Sequence, residues 1–115
     1  MAPAEADTPF LETQDEELEV LEPVIITGYC LRGQTASGEY TRPGICAYRK
    51  EDIGKVAVIY DADQQIIGFY EILDTGGEEI RKGHVIDIWF PTAEECYQIT
   101  QPGFVQVLEM EDEEE

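Results

Sequence analysis

Two aspartates stand inside apolar segments, where a carboxylate is unusual. Asp74 ends the run "IIGFYEILD" and precedes Thr75-Gly76-Gly77, and Asp87 lies thirteen residues later in "VIDIWF". A carboxyl group in apolar surroundings loses hydration, which raises its pKa and lets it act as a general acid near neutral pH. The two segments therefore contain the residue type that acid–base catalysis requires.

Each aspartate also has a structural alternative to weigh. An aspartate directly before Thr-Gly-Gly is typical of a strand end whose carboxylate accepts hydrogen bonds from the backbone of the following turn, so Asp74 is either structural or catalytic. Asp87 has no turn beside it, and strand alternation places it on the same face as Val85 and Trp89. Asp87 is therefore the stronger candidate for chemistry.

Other polar patterns are weaker. His84 is the only histidine, and Ser37 in "TASG" lacks the glycine pattern of a nucleophile elbow, so a Ser–His triad is not favoured. The stretch "DADQQ" begins like a calcium loop, but Ile66 and Ile72 occupy the places where an EF-hand requires Gly and Glu. No C-x-x-C pair is present, and neither a metal nor a cofactor is predicted.

Aromatic residues leave two interpretations open. Tyr29, Tyr40, Tyr48 and Trp89 either line a sugar-binding groove, since aromatic faces stack on sugar rings, or pack in the core, which is the better default for Trp89.

The elements that must position these residues are mostly strands. Apolar and alternating runs predict strands at 24–29, 45–48, 56–60, 66–73, 84–90 and 104–110. The segments 49–55 and 75–83 are predicted as turns or short helical turns. A helix is predicted over 92–100, with Thr92 and Glu95 in capping-box spacing, Cys96 and Ile99 on its buried face, and Pro102-Gly103 ending it. The pattern favours a mostly-β domain, a small β-barrel with one or two short helices.

Charge divides the chain of 115 residues into three parts. The net charge is −19, but residues 1–22 carry eight acids and no Lys or Arg, and residues 109–115 carry six more acids. The middle, 23–108, has 12 acids against 7 basic residues, a net of −5. We therefore predict an acidic flexible N-terminal segment (1–22), a barrel domain (23–109) and an acidic disordered C-terminal tail (110–115). Nucleic acid is not an expected partner, because little in the chain would neutralise phosphates.

Three cysteines leave the redox state open. Cys30 and Cys46 flank one loop and either pair in an oxidising compartment or remain free buried thiols, and the odd Cys96 prevents complete intrachain pairing. No transmembrane helix and no signal peptide are expected from the sequence.

Longer motifs resemble a known domain. "TGYC", "GQTASGEYTRPGICAY", "DTGG" and "RKGHVIDIWFPTAEEC" together are similar to the 3D domain, named for three aspartates. This domain occurs in the membrane-bound lytic transglycosylase A family, in stationary-phase-survival-like murein enzymes of spore-forming bacteria and in some resuscitation-promoting factors. The resemblance covers roughly 24–109.

The resemblance implies a six-stranded double-psi β-barrel that cleaves the MurNAc–GlcNAc bond of peptidoglycan and leaves a 1,6-anhydro end. It implies Asp87 as general acid/base and Asp74 as its assistant, and peptidoglycan glycan strands as the partner. The residues expected to bind substrate are Thr35, Ser37, Gly76, Gly77 and Lys82. The expected location is extracytoplasmic, at a bacterial cell wall, with a cytoplasmic or phage-encoded protein as the alternative.

Two departures from the family pattern keep other functions open. Arg49 stands at the place of the first family aspartate, with Asp52 three residues out of register, and the turn between Asp74 and Asp87 is longer than usual. One alternative is therefore a non-catalytic barrel that binds glycan or cell wall. A further alternative is an interaction module that works through the acidic tails, for which deletion of 1–22 and 110–115 would abolish a specific complex.

Overall fold

Six strands close into a barrel in the structure, a computed structural model that describes residues 21–109. The strands are β1 (Glu22–Tyr29), β2 (Ile45–Ala47), β3 (Val56–Asp61), β4 (Ile66–Asp74), β5 (Val85–Trp89) and β6 (Gln101–Leu108). A 3₁₀ turn (Lys50–Asp52) and two helices, α1 (Glu78–Arg81) and α2 (Ala93–Ile99), complete the described elements. The predicted mostly-β barrel with one or two short helices is confirmed, and the described residues contain two helices. The predicted acidic tails fall on residues 1–20 and 110–115, outside the described residues.

The strand order gives the barrel an internal two-fold relation. Around the ring the order is β1–β5–β2–β4–β3–β6, with β1/β5 and β2/β4 parallel and the other pairs antiparallel. Exchanging β1, β2 and β3 with β4, β5 and β6 reproduces the same ring and the same parallel pairs. This is the arrangement of a double-psi barrel, and it brings β5 between β1 and β2.

Alternating side chains separate a core from an outer face. Val24, Ile26, Ile86 and Ile88 point into the barrel and are almost completely buried, while Ile25 on β1 is 45% exposed. The outer face of β1 and β5 therefore carries the residues in between, among them Asp87.

Helix α2 begins where the sequence predicts. The Thr92 hydroxyl accepts a hydrogen bond from the Glu95 amide, so Thr92 is the N-cap, and Cys96 is buried with Ile99 packed against the core. The helix lies directly on β1, because a Cβ added at Gly28 would be 2.8 Å from the Cys96 Cα. In the described part of the chain, neither helix is long and apolar enough to cross a membrane.

The predicted start of the last strand is wrong. β6 begins at Gln101, so Pro102 and Gly103 lie within it instead of ending the helix. Pairing with β3 reaches only as far as Gly103, opposite Asp61, so Pro102 is not required to donate a hydrogen bond on that side. Gly103 is buried against the Tyr60 carbonyl, where a side chain would not fit.

The cysteines are all free thiols in the structure. Cys46 is completely buried in the core, which raises its pKa, so the pairing of Cys30 with Cys46 that the sequence left open is not present. Cys30 instead neighbours Cys96, and the pKa of Cys96 is raised by burial and by this neighbour. Cys46 is thus a core residue.

Candidate functional site

The two aspartates lie in one row across the sheet. Thr27 on β1 pairs with Asp87 on β5, Asp87 pairs with Ala47 on β2, and Ala47 pairs with Asp74 on β4. A single strand therefore separates Asp87 from Asp74, which places their Cα atoms roughly 10 Å apart, at about 4.8 Å per strand. Helix α1 lies in the connection between them, so the excursion over 75–83 returns the chain to the same row.

Asp87 is a half-buried carboxyl with one strong donor. The Thr27 hydroxyl donates to its Oδ1 atom at 2.7 Å. Burial raises the pKa of Asp87, and the charge of Asp74 raises it further, while the hydrogen bond from Thr27 acts in the opposite direction. The net shift is upward, which favours the protonated acid at higher pH than for an ordinary aspartate.

Asp74 is held by three hydrogen bonds. Its Oδ1 atom accepts from the amides of Thr75 and Ala36, each at 3.0 Å, and its Oδ2 atom accepts from the Tyr29 hydroxyl at 3.2 Å. The pKa of Tyr29 is raised by burial and by the charges of Asp74 and Asp87, so Tyr29 is a neutral donor. Asp74 therefore caps its own turn and also presents its charge to Asp87.

The loop after β1 holds Asp74 through its backbone. Thr35 is buried, and its hydroxyl donates to the Glu39 carbonyl at 2.8 Å and lies 2.8 Å from the Ser37 hydroxyl. The Ser37 hydroxyl in turn accepts from the Glu39 amide. Two predicted substrate-binding residues, Thr35 and Ser37, thus fold the turn that aims the Ala36 amide at Asp74.

The remaining predicted substrate-binding residues lie after Asp74. The Gly76 carbonyl accepts from Arg81 at 3.0 Å, and Gly77 is the N-cap of α1. Lys82 is exposed and forms an ion pair with Glu78 at 2.8 Å. The structure therefore keeps Gly76 and Gly77 beside the row of aspartates and directs Lys82 along α1.

Arg49 points away from the two aspartates. Its guanidinium forms ion pairs with Asp52 at 2.8 Å and with Glu22 at 3.4 Å, and it lies over the Tyr48 ring. Burial, Thr27 and Asp74 are the influences on the pKa of Asp87. A guanidinium close to Asp87 would lower its pKa, but Arg49 is engaged elsewhere and is not among these influences.

His84 and the aromatic residues have separate places. His84 is exposed and contacts Glu79 at 2.9 Å through Nδ1. Trp89 and Tyr48 are buried, as the core interpretation predicts, whereas Tyr40 is exposed and Tyr29 donates to Asp74.

Two cavities border β1, one toward each end of the strand, and the residues that line them include neither Asp87 nor Thr27. One, of about 230 Å³, is bounded by Tyr29, Arg32 and Asp74. The other, of about 420 Å³, is mostly apolar and includes Ile25 and Phe104. Because Ile25, Thr27 and Tyr29 alternate along the same face of β1, the hydrogen bond from Thr27 to Asp87 lies between the two cavities.

Sequence reasoning missed three site residues: Thr27, Arg32 and the Ala36 amide. Thr27 and Tyr29 are two positions apart on a predicted strand, so a shared face was detectable. Their partners were not, because the parallel pairing of β1 with β5 joins residues about sixty positions apart. Backbone donors such as Ala36 leave no residue-type signal.

A scan against protein-family models gives no match for this chain, and a search of curated proteins gives none either. Within residues 21–109, no three His, Cys, Asp or Glu side chains are grouped as a metal site requires. What the site does is therefore inferred from its geometry and its motifs.

Proposed function

We propose that this domain is a peptidoglycan lytic transglycosylase of the 3D type, with Asp87 as the general acid/base. The observation that carries the proposal is a half-buried carboxyl with a raised pKa, set in one row with a second carboxylate, beside a strand that borders a cavity toward each of its ends. An enzyme that cleaves within a glycan strand must hold sugars on both sides of the scissile bond, and two cavities suit that requirement. The proposed location is the cell wall, where the substrate lies.

The proposed reaction requires only one acid. Asp87 protonates the glycosidic oxygen as the bond from that oxygen to C1 breaks. The resulting carboxylate then takes the proton of the C6 hydroxyl of the same muramyl residue while that oxygen bonds to C1. The products are a 1,6-anhydro end and a free hydroxyl on the leaving sugar, and Asp87 ends protonated. No water attacks, so the second carboxylate of ordinary glycoside hydrolysis is not required as nucleophile or base.

Asp74 supports this reaction electrostatically. Its charge raises the pKa of Asp87, which keeps the acid protonated before the reaction. A fixed carboxylate near the anomeric carbon also favours the positive charge that develops in an oxocarbenium-like transition state. The three hydrogen bonds to Asp74 hold it in position for both effects.

Purified murein digested with the full chain tests the proposal. We expect 1,6-anhydromuropeptides by mass spectrometry, and we expect Asp87→Asn to lower their rate of formation by roughly 10²–10⁴-fold, the usual contribution of a general acid. Asp63→Asn is the matched control, because this substitution makes the same charge change on the exposed hairpin after β3. Anhydro products that form equally fast with Asp87→Asn would defeat the assignment.

A second candidate function is a non-catalytic barrel that binds glycan. The acid nearest to the place of the first family aspartate, Asp52, is buried and engaged by Arg49 at 2.8 Å and by Lys55 at 3.0 Å, so it does not supply a third acid to the site. This candidate predicts that murein pulls down the protein and that no anhydro products appear on long incubation. Failure to bind murein at all would remove it.

A further inference from the structure

Arg32 is a cation fixed at the edge of the cavity beside Asp74. It bounds that cavity together with Tyr29. Its guanidinium lies over the Trp89 ring, 5.4 Å from the centroid, and its Nη2 atom donates to the Pro91 carbonyl at 3.2 Å. Trp89 is itself anchored, since its Nε1 atom donates to the backbone of the loop that carries Arg32. The stacking and the hydrogen bond hold the guanidinium in one place on an exposed side chain.

Arg32 differs from most basic residues of this acidic chain. Four of the seven form ion pairs with carboxylates in the described residues: Arg42, Arg49, Lys55 and Lys82. Within residues 21–109, Arg32 has no carboxylate partner. Lys50 and Arg81 also have none there, but neither bounds this cavity. Arg32 is thus a fixed cation facing a cavity that otherwise has only the charge of Asp74.

We propose that Arg32 binds a carboxylate of the glycan substrate and so selects the muramyl residue for the cavity beside Asp74. A guanidinium has five N–H donors in a planar fork that matches a carboxylate, and the hydrogen bond to Pro91 uses one of them. The muramyl sugar carries a lactyl group whose carboxyl is either free or joined to a stem peptide that has carboxylates of its own, whereas N-acetylglucosamine carries none. Arg32 also offsets the repulsion that the Asp74 carboxylate exerts on an anionic sugar. The inference rests on the proposed function.

Binding measured without turnover tests Arg32 separately from catalysis. The Asp87→Asn protein and its Arg32→Gln double variant are titrated by NMR with three probes. These are a chitooligosaccharide without carboxylates, a peptide-free murein oligosaccharide with free lactyl carboxyls, and a peptide-bearing muropeptide. We expect Arg32→Gln to weaken binding of a carboxylate-bearing probe about tenfold or more, and that of the chitooligosaccharide less than about twofold. The probe that loses affinity identifies the lactyl or the peptide carboxyl as the ligand.

Two further variants control for charge and geometry. Lys50→Gln makes the same charge change away from the cavity and should leave all three affinities unchanged. Arg32→Lys keeps the positive charge but lacks the planar, forked N–H donors of a guanidinium. We therefore expect an intermediate loss of affinity for the carboxylate-bearing probe. Equal loss for all three probes, no loss for any, or no binding by the parent protein would overturn the proposal.

The outcome is distinguishable from that of the proposed function. If anhydro products form at the normal rate in an otherwise wild-type Arg32→Gln protein, the proposed role of Arg32 is rejected and the proposed enzymatic activity stands. If binding depends on Arg32 but the wild type forms no anhydro products, the proposed enzymatic activity is rejected and the carboxylate-binding site stands.

Discussion

At the scale of single residues, the site is defined by opposing influences on Asp87. Burial and the Asp74 charge favour its protonated form, and the hydrogen bond from Thr27 favours its ionised form. A general acid benefits from a pKa near the working pH, so this balance sets the range in which Asp87 is useful. The same balance can be measured without knowing the substrate.

Thr27→Val should raise the pKa of Asp87 further. The Thr27 hydroxyl donates to Oδ1 at 2.7 Å and so stabilises the carboxylate form of Asp87. The substitution removes this donor, whereas burial and the Asp74 charge continue to raise the pKa. An NMR titration of the Asp87 carboxyl carbon measures the change. Thr27→Ser keeps the hydroxyl and should titrate like the wild type; a pKa that falls or stays constant in Thr27→Val would contradict the assigned role.

Asp87→Asn should change how stability depends on pH. Because the native pKa of Asp87 is raised, the folded protein holds this proton more tightly than the unfolded chain does. The wild type therefore loses stability as the pH rises from about 4, the ordinary pKa of aspartate, through the native pKa. Asparagine does not titrate and can still accept from Thr27, so the variant gains stability relative to the wild type over that window.

Urea unfolding of both proteins between pH 4 and pH 8 measures this difference. If the difference in unfolding free energy between variant and wild type stays constant across the range, Asp87 has an ordinary pKa. If the variant becomes less stable relative to the wild type as the pH rises, the pKa of Asp87 is lowered. Asp63→Asn again serves as the control, because its side chain lies on the exposed hairpin.

At the scale of elements, strand pairing assembles the site and helix α2 supports it. β5 lies between β1 and β2, so Asp87 reaches both Thr27 and the row that leads to Asp74. Helix α2 packs on the inner side of β1, directly against Gly28. The position of β1, and with it the donor to Asp87, therefore depends on the close approach of this helix.

Gly28→Ala should be destabilising. The new Cβ would lie 2.8 Å from the Cys96 Cα, a backbone atom that cannot rotate away, so α2 or β1 must shift. Overpacking of this kind costs about 1–3 kcal/mol in the free energy of unfolding. Chemical denaturation measures the loss.

Gly77 supplies the comparison for that substitution. A Cβ added there meets no atom within 4 Å, and its φ of −70° suits any residue. Gly77→Ala should therefore cost clearly less than Gly28→Ala, the remaining effect being the poorer N-cap. Similar losses for the two variants would contradict the tight contact between α2 and β1.

At the scale of the whole molecule, most of the negative charge lies outside the barrel. Residues 1–20 and 110–115 contain twelve acids and no basic residue, so their removal changes the net charge from −19 to −7. Murein also carries carboxylates. Repulsion between protein and substrate should therefore come largely from these terminal segments.

A chain trimmed to residues 21–109 should bind murein more tightly than the full chain at low salt. The difference should shrink as salt is added, because the Debye length is about 10 Å at 0.1 M. Co-sedimentation with murein over a salt series measures both effects. The trimmed chain retains all six strands, from Glu22 to Leu108, so its barrel should remain folded. Weaker binding by the trimmed chain would instead support an interaction role for the acidic segments.

The amino-acid sequence by itself determined the local features. Alternating apolar runs predicted six strands, Thr92 predicted the start of α2, and the apolar neighbours of Asp87 singled it out, because each of these signals lies within a few residues along the chain. The start of β6 was missed because Pro102 and Gly103 are turn residues in isolation and are accommodated only by the neighbouring strands.

Only the tertiary structure decided which groups meet. Thr27 reaches Asp87 across a parallel pair, the Ala36 amide reaches Asp74 from a distant loop, and Arg49 turns away toward Glu22 and Asp52. Such contacts depend on strand order and register, which the closure of the whole barrel sets and no local pattern specifies. The pKa of Asp87 follows from them, since burial and neighbouring charge exist only once the strands are paired.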